Sequence, residues 1–200
     1  FIYVDTGAMY RTIALGLLRA GTDIEDEAAL KRQLSDIEVT ISYENGVQQV
    51  FLNGENVTGL IRTEQVSDMT SRSSAKPQVR EKLTELQRTL AKKEDVLMDG
   101  RDIGTMILPD AQLKIFLTAS VKTRAERRYK EQIEKGESCT LEEIERDIEE
   151  RDYRDSHRET APLRQAEDAV LVDSSDMTID EVVAAIVALA RERMQMATCR

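Results

Sequence analysis

The sequence predicts an α/β protein, with a parallel sheet flanked by helices on both faces and a small antiparallel insert. Three observations predict it. Four short apolar or β-branched runs, Phe1–Val4, Val96–Met98, Lys114–Leu117 and Ala169–Val172, each end in a polar residue or turn. Helical patterns separate these runs, as crossover connections between parallel strands require. Between residues 37 and 58 the apolar period shortens to two, punctuated by two Asn-Gly steps.

Taken in order, the first run leads into Asp5-Thr6-Gly7, an N-cap signal, after which Met9, Ile13 and Leu17 recur at helical spacing until Gly21. In the insert, Ile37, Val39, Ile41 and Tyr43 alternate with polar residues up to the Asn45-Gly46 turn. Val47 to Leu52 returns, and Asn53-Gly54 leads to a third short strand at Val57. Pro77 suits a first helical turn, and Val79, Leu83, Leu86 and Leu90 mark one buried stripe. Gly136 divides the charged stretch from Arg124 to Arg158 into two helices. From Ile179 onward an amphipathic helix is expected, with Val182, Val183, Ile186 and Val187 facing inward.

Composition narrows the function classes. A chain of 200 residues that is 33% charged and 40% apolar folds around a core, which excludes a disordered or fibrous protein. A net charge of −10 and a pI near 4.8 argue against long nucleic acid as a partner, although a local arginine cluster can still hold a small anion. The most apolar stretch, Val182–Ala190, spans nine residues against the ~20 that a membrane helix needs. No membrane association and no secretory signal are expected. Two cysteines, Cys139 and Cys199, and the single His157 suit a reducing cytoplasm better than a disulfide framework or zinc site.

Four places could carry chemistry. At ~100° per residue, Leu141, Ile144 and Ile148 share a stripe that Arg151 and Asp155 continue, with Arg158 beside it and Arg154 further round. Such a face either turns inward and meets an anion, since an unpaired buried charge is costly, or runs out into water as i,i+4 pairs. Asp99-Gly100-Arg101-Asp102 follows a strand, where open α/β sheets bind ligands. There an Arg could fork onto phosphate and Asp99 could hold a metal through water; a plain turn reads equally from the letters. Asp5–Arg11 opens a helix whose free N–H groups suit an anion, or is an ordinary cap with a surface Arg. Arg124, Arg127 and Arg128 stand near Glu126 and Glu131, the pattern of an exposed, ion-paired helix. His157 reads as a surface residue and the cysteines as inert.

Together these segments resemble the bacterial cytidylate kinases, a family of P-loop nucleoside monophosphate kinases. The resemblance rests on Asp5-Thr6-Gly7-Ala8-Met9-Tyr10-Arg11, Ile61-Arg62-Thr63, Pro77-Gln78-Val79-Arg80 and Asp99-Gly100-Arg101-Asp102-Ile103-Gly104-Thr105. It continues through Pro109-Asp110-Ala111, Lys114-Ile115-Phe116-Leu117, Glu150-Arg151-Asp152-Tyr153-Arg154-Asp155 and Ala161-Pro162-Leu163. The segment at 37–58 is similar to the family's insert in the monophosphate-binding region.

The resemblance implies a P-loop NTPase-type parallel sheet divided into core (1–31, 96–123 and 161–200), monophosphate-binding region (32–95) and helical lid (124–160). The implied reaction, in pyrimidine metabolism, moves the ATP γ-phosphate to CMP or dCMP with Mg²⁺, in a cytoplasmic monomer. Arg11, Arg101, Arg158 and Arg151 become the catalytic charge set, and Asp99 holds the metal through water. Thr6, Arg80 and Asp102 read cytosine, while Ser71, Arg151 and Asp155 face the pentose. Arg124, Arg127, Arg128 and Arg154 belong to the lid over ATP. Replacing Asp102 with Ala is expected to harm CMP use more than folding. The glycine-rich phosphate loop is missing from these 200 residues, so the sequence is expected to be part of a longer protein with that loop just before Phe1. Two alternatives stand beside this reading: a related P-loop kinase acting on UMP or a small metabolite, and a non-catalytic nucleotide-binding fragment.

Overall fold

In the computed structural model, which describes residues 1–198, the chain forms two units, Phe1–Ile103 and Gly104–Arg200. The first unit runs β1 (Ile2–Asp5), α1 (Thr6–Arg19), α2 (Glu27–Asp36), β2 (Val39–Glu44), β3 (Val47–Leu52), β4 (Glu55–Asn56), α3 (Glu64–Ser73), α4 (Pro77–Lys93) and β5 (Val96–Asp99). The second, after a single π-turn at Ile103–Ile107, runs β6 (Ile115–Thr118), α5 (Val121–Glu134), α6 (Leu141–His157), β7 (Val170–Asp173) and α7 (Ile179–Thr198).

Strands β1 and β5 pair in parallel, placing Asp5 opposite Asp99 at their carboxyl ends. Strands β6 and β7 form a second parallel pair, from Ile115 opposite Val170 to Thr118 opposite Asp173. The insert is an antiparallel sheet in the order β2-β3-β4. Its turns need left-handed backbone at two successive residues, and Asn45 (φ 50°) with Gly46 (φ 77°) and Asn53 (φ 51°) with Gly54 (φ 83°) supply it. The mixed α/β fold, with parallel strands, flanking helices and a small antiparallel sheet, is the predicted class.

The first unit's core gathers Met9, Ile13 and Leu17 from α1, Val50 and Leu52 from β3, and Val79 and Leu83 from α4. Each such side chain, taken fully out of water, contributes ~1.5–3 kcal/mol. The expected helix after Asp5 is present, and Asp5 caps it by accepting the Ala8 N–H at 2.9 Å. Each parallel strand extends one residue past its predicted end; β1, β6 and β7 begin one residue later than predicted, and β5 begins at Val96 as predicted.

Three details differ from the sequence reading. The third strand of the insert is Glu55–Asn56, and Val57 beyond it is fully buried, its N–H donating to the Val50 carbonyl. Helices α2 and α3, which the sequence reading did not single out, bury only Leu30 and Leu34, and Val66 and Ser73. In α7, Val183 and Val187 are 53% and 39% exposed, while Val182, Ala185, Ile186 and Leu189 form a narrower half-buried stripe at i, i+3, i+4 and i+7. Cys199 lies outside the described residues.

Candidate functional site

In the first unit, the carboxyl ends of β1 and β5 carry the polar groups. Thr6, 2% exposed, donates its hydroxyl to the Asp99 carbonyl at 2.6 Å. That approach requires glycine next door: a Cβ on Gly100 would fall 2.6 Å from the Thr6 hydroxyl oxygen and 2.8 Å from the Ile103 side chain. The second Asp5 carboxylate oxygen accepts from Arg62 Nη2 at 3.0 Å. Burial raises the Asp99 pKa above the ordinary carboxylate value, the negative charge of Asp5 adds to this, and Tyr3 and Arg101 pull the other way. Tyr3 is pushed up to about 12, by burial first and then by the charges of Asp99 and Asp5.

Arg80 and Asp102, each 5% exposed, form a buried ion pair. Arg80 Nη1 also donates to the Ser74 carbonyl at 3.0 Å, and its guanidinium lies 5.4 Å from the Tyr10 ring centroid. Removing one partner of such a pair costs ~3–5 kcal/mol, because the other charge stays buried. Asp102 therefore supports the fold as well as any site, which adds a stability cost to the expectation for Asp102→Ala. Arg11 Nη1 donates to the Ile61 carbonyl at 3.2 Å and to Ser67 on α3 at 2.8 Å. On the same helix the Ser71 hydroxyl is buried without a hydrogen-bond partner among the described residues.

In the second unit, Asp155 on α6 is buried at 6% exposure, with Arg151 Nε at 3.8 Å and Arg158 Nη1 at 3.7 Å from its carboxylate. The stripe thus turns inward at Asp155, whereas Arg151 keeps a 42% exposed side chain. Arg158 also donates to the Ala161 carbonyl at 2.8 Å, across a turn in which Ala161 takes the left-handed φ of 49°. Arg124 forks onto Asp152 at 3.0 and 2.6 Å and so joins α5 to α6. Arg127 donates to the carbonyls of Ser174 (2.6 Å) and Met177 (3.0 Å), bracing the loop after β7. Arg128 and Arg154 are exposed, and His157 stacks on exposed Tyr153 at 4.0 Å between ring centroids.

The structure thus brings together Asp5, Thr6, Asp99 and Arg101, pairs Arg80 with Asp102, and gathers Arg151, Asp155 and Arg158. Among the described residues, no three His, Cys, Asp or Glu side chains are grouped to hold a metal directly. A cation held through water still fits, because Asp5 and Asp99 bring two carboxylates to adjacent strand ends; burial first, and the Asp5 charge second, raise the Asp99 pKa. Sequence reasoning missed Tyr3, Tyr43, Gln48 and Arg62, whose contacts near this site span 40 to 57 residues of chain or depend on the β1–β5 pairing.

The cytidylate kinase family model matches residues 1–192. A cytidylate kinase of Ligilactobacillus salivarius is 50% identical over 193 residues, covering 96% of this chain and 86% of that protein. One of Leuconostoc mesenteroides is 50% identical over 186 residues, 93% of this chain and 83% of that protein. One of Streptococcus pneumoniae is 49% identical over 195 residues, 97% and 87% of the two chains. A match that runs through both units, and through the strand ends where the buried acids and arginines stand, means that the chain belongs to the cytidylate kinase family.

Proposed function

We propose that the protein transfers the γ-phosphoryl group of ATP to CMP or dCMP, giving CDP or dCDP and ADP. The observation that carries this reading is the buried Arg80–Asp102 pair at the strand ends, in a chain matched to the family almost throughout. Cytosine offers an exocyclic amino donor beside two acceptors. The Asp102 carboxylate accepts from that amino group, and Arg80 donates to the ring acceptors. Thr6 already spends its proton on the Asp99 carbonyl, so its oxygen is left to accept the second amino hydrogen.

Phosphoryl transfer needs positioning and charge neutralisation more than a base. An oxygen of the acceptor phosphate attacks the γ-phosphorus, and the bond to the β–γ bridging oxygen breaks, releasing ADP. Arg11 and Arg101 neutralise the acceptor phosphate, and Arg158 and Arg151, oriented by Asp155, add positive charge. Ser71, Arg151 and Asp155 serve the pentose. Mg²⁺ bound with ATP supplies charge neutralisation of the phosphates, and Asp99 would hold it through water. Residues 32–95 form the acceptor region and 124–160 the lid over ATP, with Arg124, Arg127, Arg128 and Arg154 on or around the lid helices. The protein works on small nucleotides as a cytoplasmic monomer.

The test is a coupled ADP-release assay on the full-length enzyme with CMP, dCMP and UMP. CMP or dCMP should exceed UMP in kcat/KM by at least ~10-fold, since a polar pocket rejects an analogue that leaves its groups unpaired. Arg101→Met should lower kcat/KM by ~100-fold or more. A preference for UMP, or a fully active Arg101→Met, would sink the assignment.

A further inference from the structure

Strand β1 pairs with β5 along one edge, where the Ile2 N–H donates to the Asp95 carbonyl. Residues 3 and 5 therefore present their backbone groups to the opposite edge. No strand pairs there among the described residues. Two side chains of the insert meet that edge instead. The Tyr43 hydroxyl donates to the Tyr3 carbonyl at 2.9 Å. The Asp5 N–H donates to Gln48 Oε1 at 2.9 Å, and Gln48 Nε2 donates to the Asp5 carbonyl at 3.1 Å. The glutamine amide thus matches both backbone groups of Asp5, as a neighbouring peptide would.

Tyr43 and Gln48 stand directly opposite each other across β2 and β3. Along this face of the insert the cross-strand pairs run Val39–Leu52, Ile41–Val50, then Tyr43–Gln48. Two apolar pairs give way to one polar pair where the hairpin reaches β1. Asp5 is fully engaged as a result: its backbone is clamped by Gln48, one carboxylate oxygen caps α1 and the other takes Arg62. Thr6, the next residue, has no slack against Gly100 and Asp99.

We infer that Gln48, with Tyr43 beside it, is a positioning residue that fixes the β1–α1 junction so that Thr6 and Arg11 stand correctly for the acceptor nucleotide. This rests on the acceptor reading given above. Gln48 acts through Asp5 and does not itself touch substrate.

The experiment uses the full-length enzyme carrying Gln48→Leu, which removes both hydrogen bonds and keeps the side-chain bulk. The KM for CMP should rise about tenfold, the size of one such lost interaction, while the KM for ATP stays within about twofold. Amide hydrogen exchange at Asp5 should speed up in parallel, well below the melting temperature. If Gln48→Leu does not fold, Tyr43→Phe should show the same selective rise at smaller size. An unchanged KM for CMP, or equal rises for both substrates, overturns the inference. Wild-type enzyme without CMP turnover would defeat the acceptor reading instead, and unchanged exchange at Asp5 would then dispose of the clamp separately.

Discussion

Asp99 illustrates how a single buried side chain can oppose folding at neutral pH. Burial and the neighbouring Asp5 raise its pKa, so the folded chain binds that proton more tightly than the unfolded chain does. By linkage, its contribution to stability falls as pH rises from the ordinary aspartate value, ~3.9, through the raised one. At neutral pH the Asp99 carboxyl is therefore a stability cost, one that a cation held through water would relieve. Asp99→Asn should raise the melting temperature of the nucleotide-free enzyme at pH 7. The gain should shrink toward pH 3.5, where the aspartate is protonated in both states. Thermal melts across that range decide it, and an Asn variant less stable than wild type at pH 7 would mean that the carboxylate is already neutralised within the protein. Residues of this sort are legible in the sequence only as strand-end acids. Their pKa depends on which strand lies alongside, and the pairing of Asp5 with Asp99 spans 94 positions of chain.

Elements whose signal is local were readable. The Asn-Gly turns, Pro77 at the start of α4, Asp5 as a cap and Gly136 after α5 all act within a few residues, and each does in the structure what its chemistry implies. Elements defined by distant partners were not. Helices α2 and α3 each bury only two side chains, and Gln48 looks like any polar strand residue until β1 is beside it. The Arg80–Asp102 pair joins segments 22 residues apart, so neither residue's burial shows in its own segment. Helix α6 lies between these cases. Its inward stripe was visible, but whether Asp155 turned inward depended on Arg151 and Arg158 closing around it. Its start is a capping box, in which the Thr140 hydroxyl accepts the Glu143 N–H while the Glu143 carboxylate reaches back to Thr140. Hydrogen bonds from the Thr140 hydroxyl and then its backbone N–H hold the Glu143 pKa below the ordinary glutamate value. The carboxylate's share of the cap is thus present above that value and is lost as pH falls through the lowered one, while the Thr140 hydroxyl still accepts the Glu143 N–H. Thr140→Ala should cost about 1 kcal/mol at pH 7, read from urea unfolding followed by helical circular dichroism. No change in midpoint would show that the first turn of α6 frays without cost.

For the whole molecule, charge sets up a contest that ionic strength can resolve. A net charge of −10 repels nucleotide anions at a distance, while on the proposed reading Arg11 and Arg101 attract the acceptor phosphate at contact. The screening length is ~30 Å at 0.01 M salt and ~10 Å at 0.1 M, so the distant acids matter chiefly in dilute buffer. Contacts such as Arg101 to a phosphate act within a few ångströms and weaken more gradually. If the local arginines govern acceptor binding, the KM for CMP should climb severalfold between 0.05 and 0.5 M salt. Inhibition by cytidine, which has the base and pentose but no phosphate, should change little over the same range. Steady-state kinetics with both ligands separates the terms, because cytidine carries any general effect of salt on the fold. A KM for CMP that falls steadily with salt would mean that the overall negative field, and not the arginine cluster, controls capture of the nucleotide.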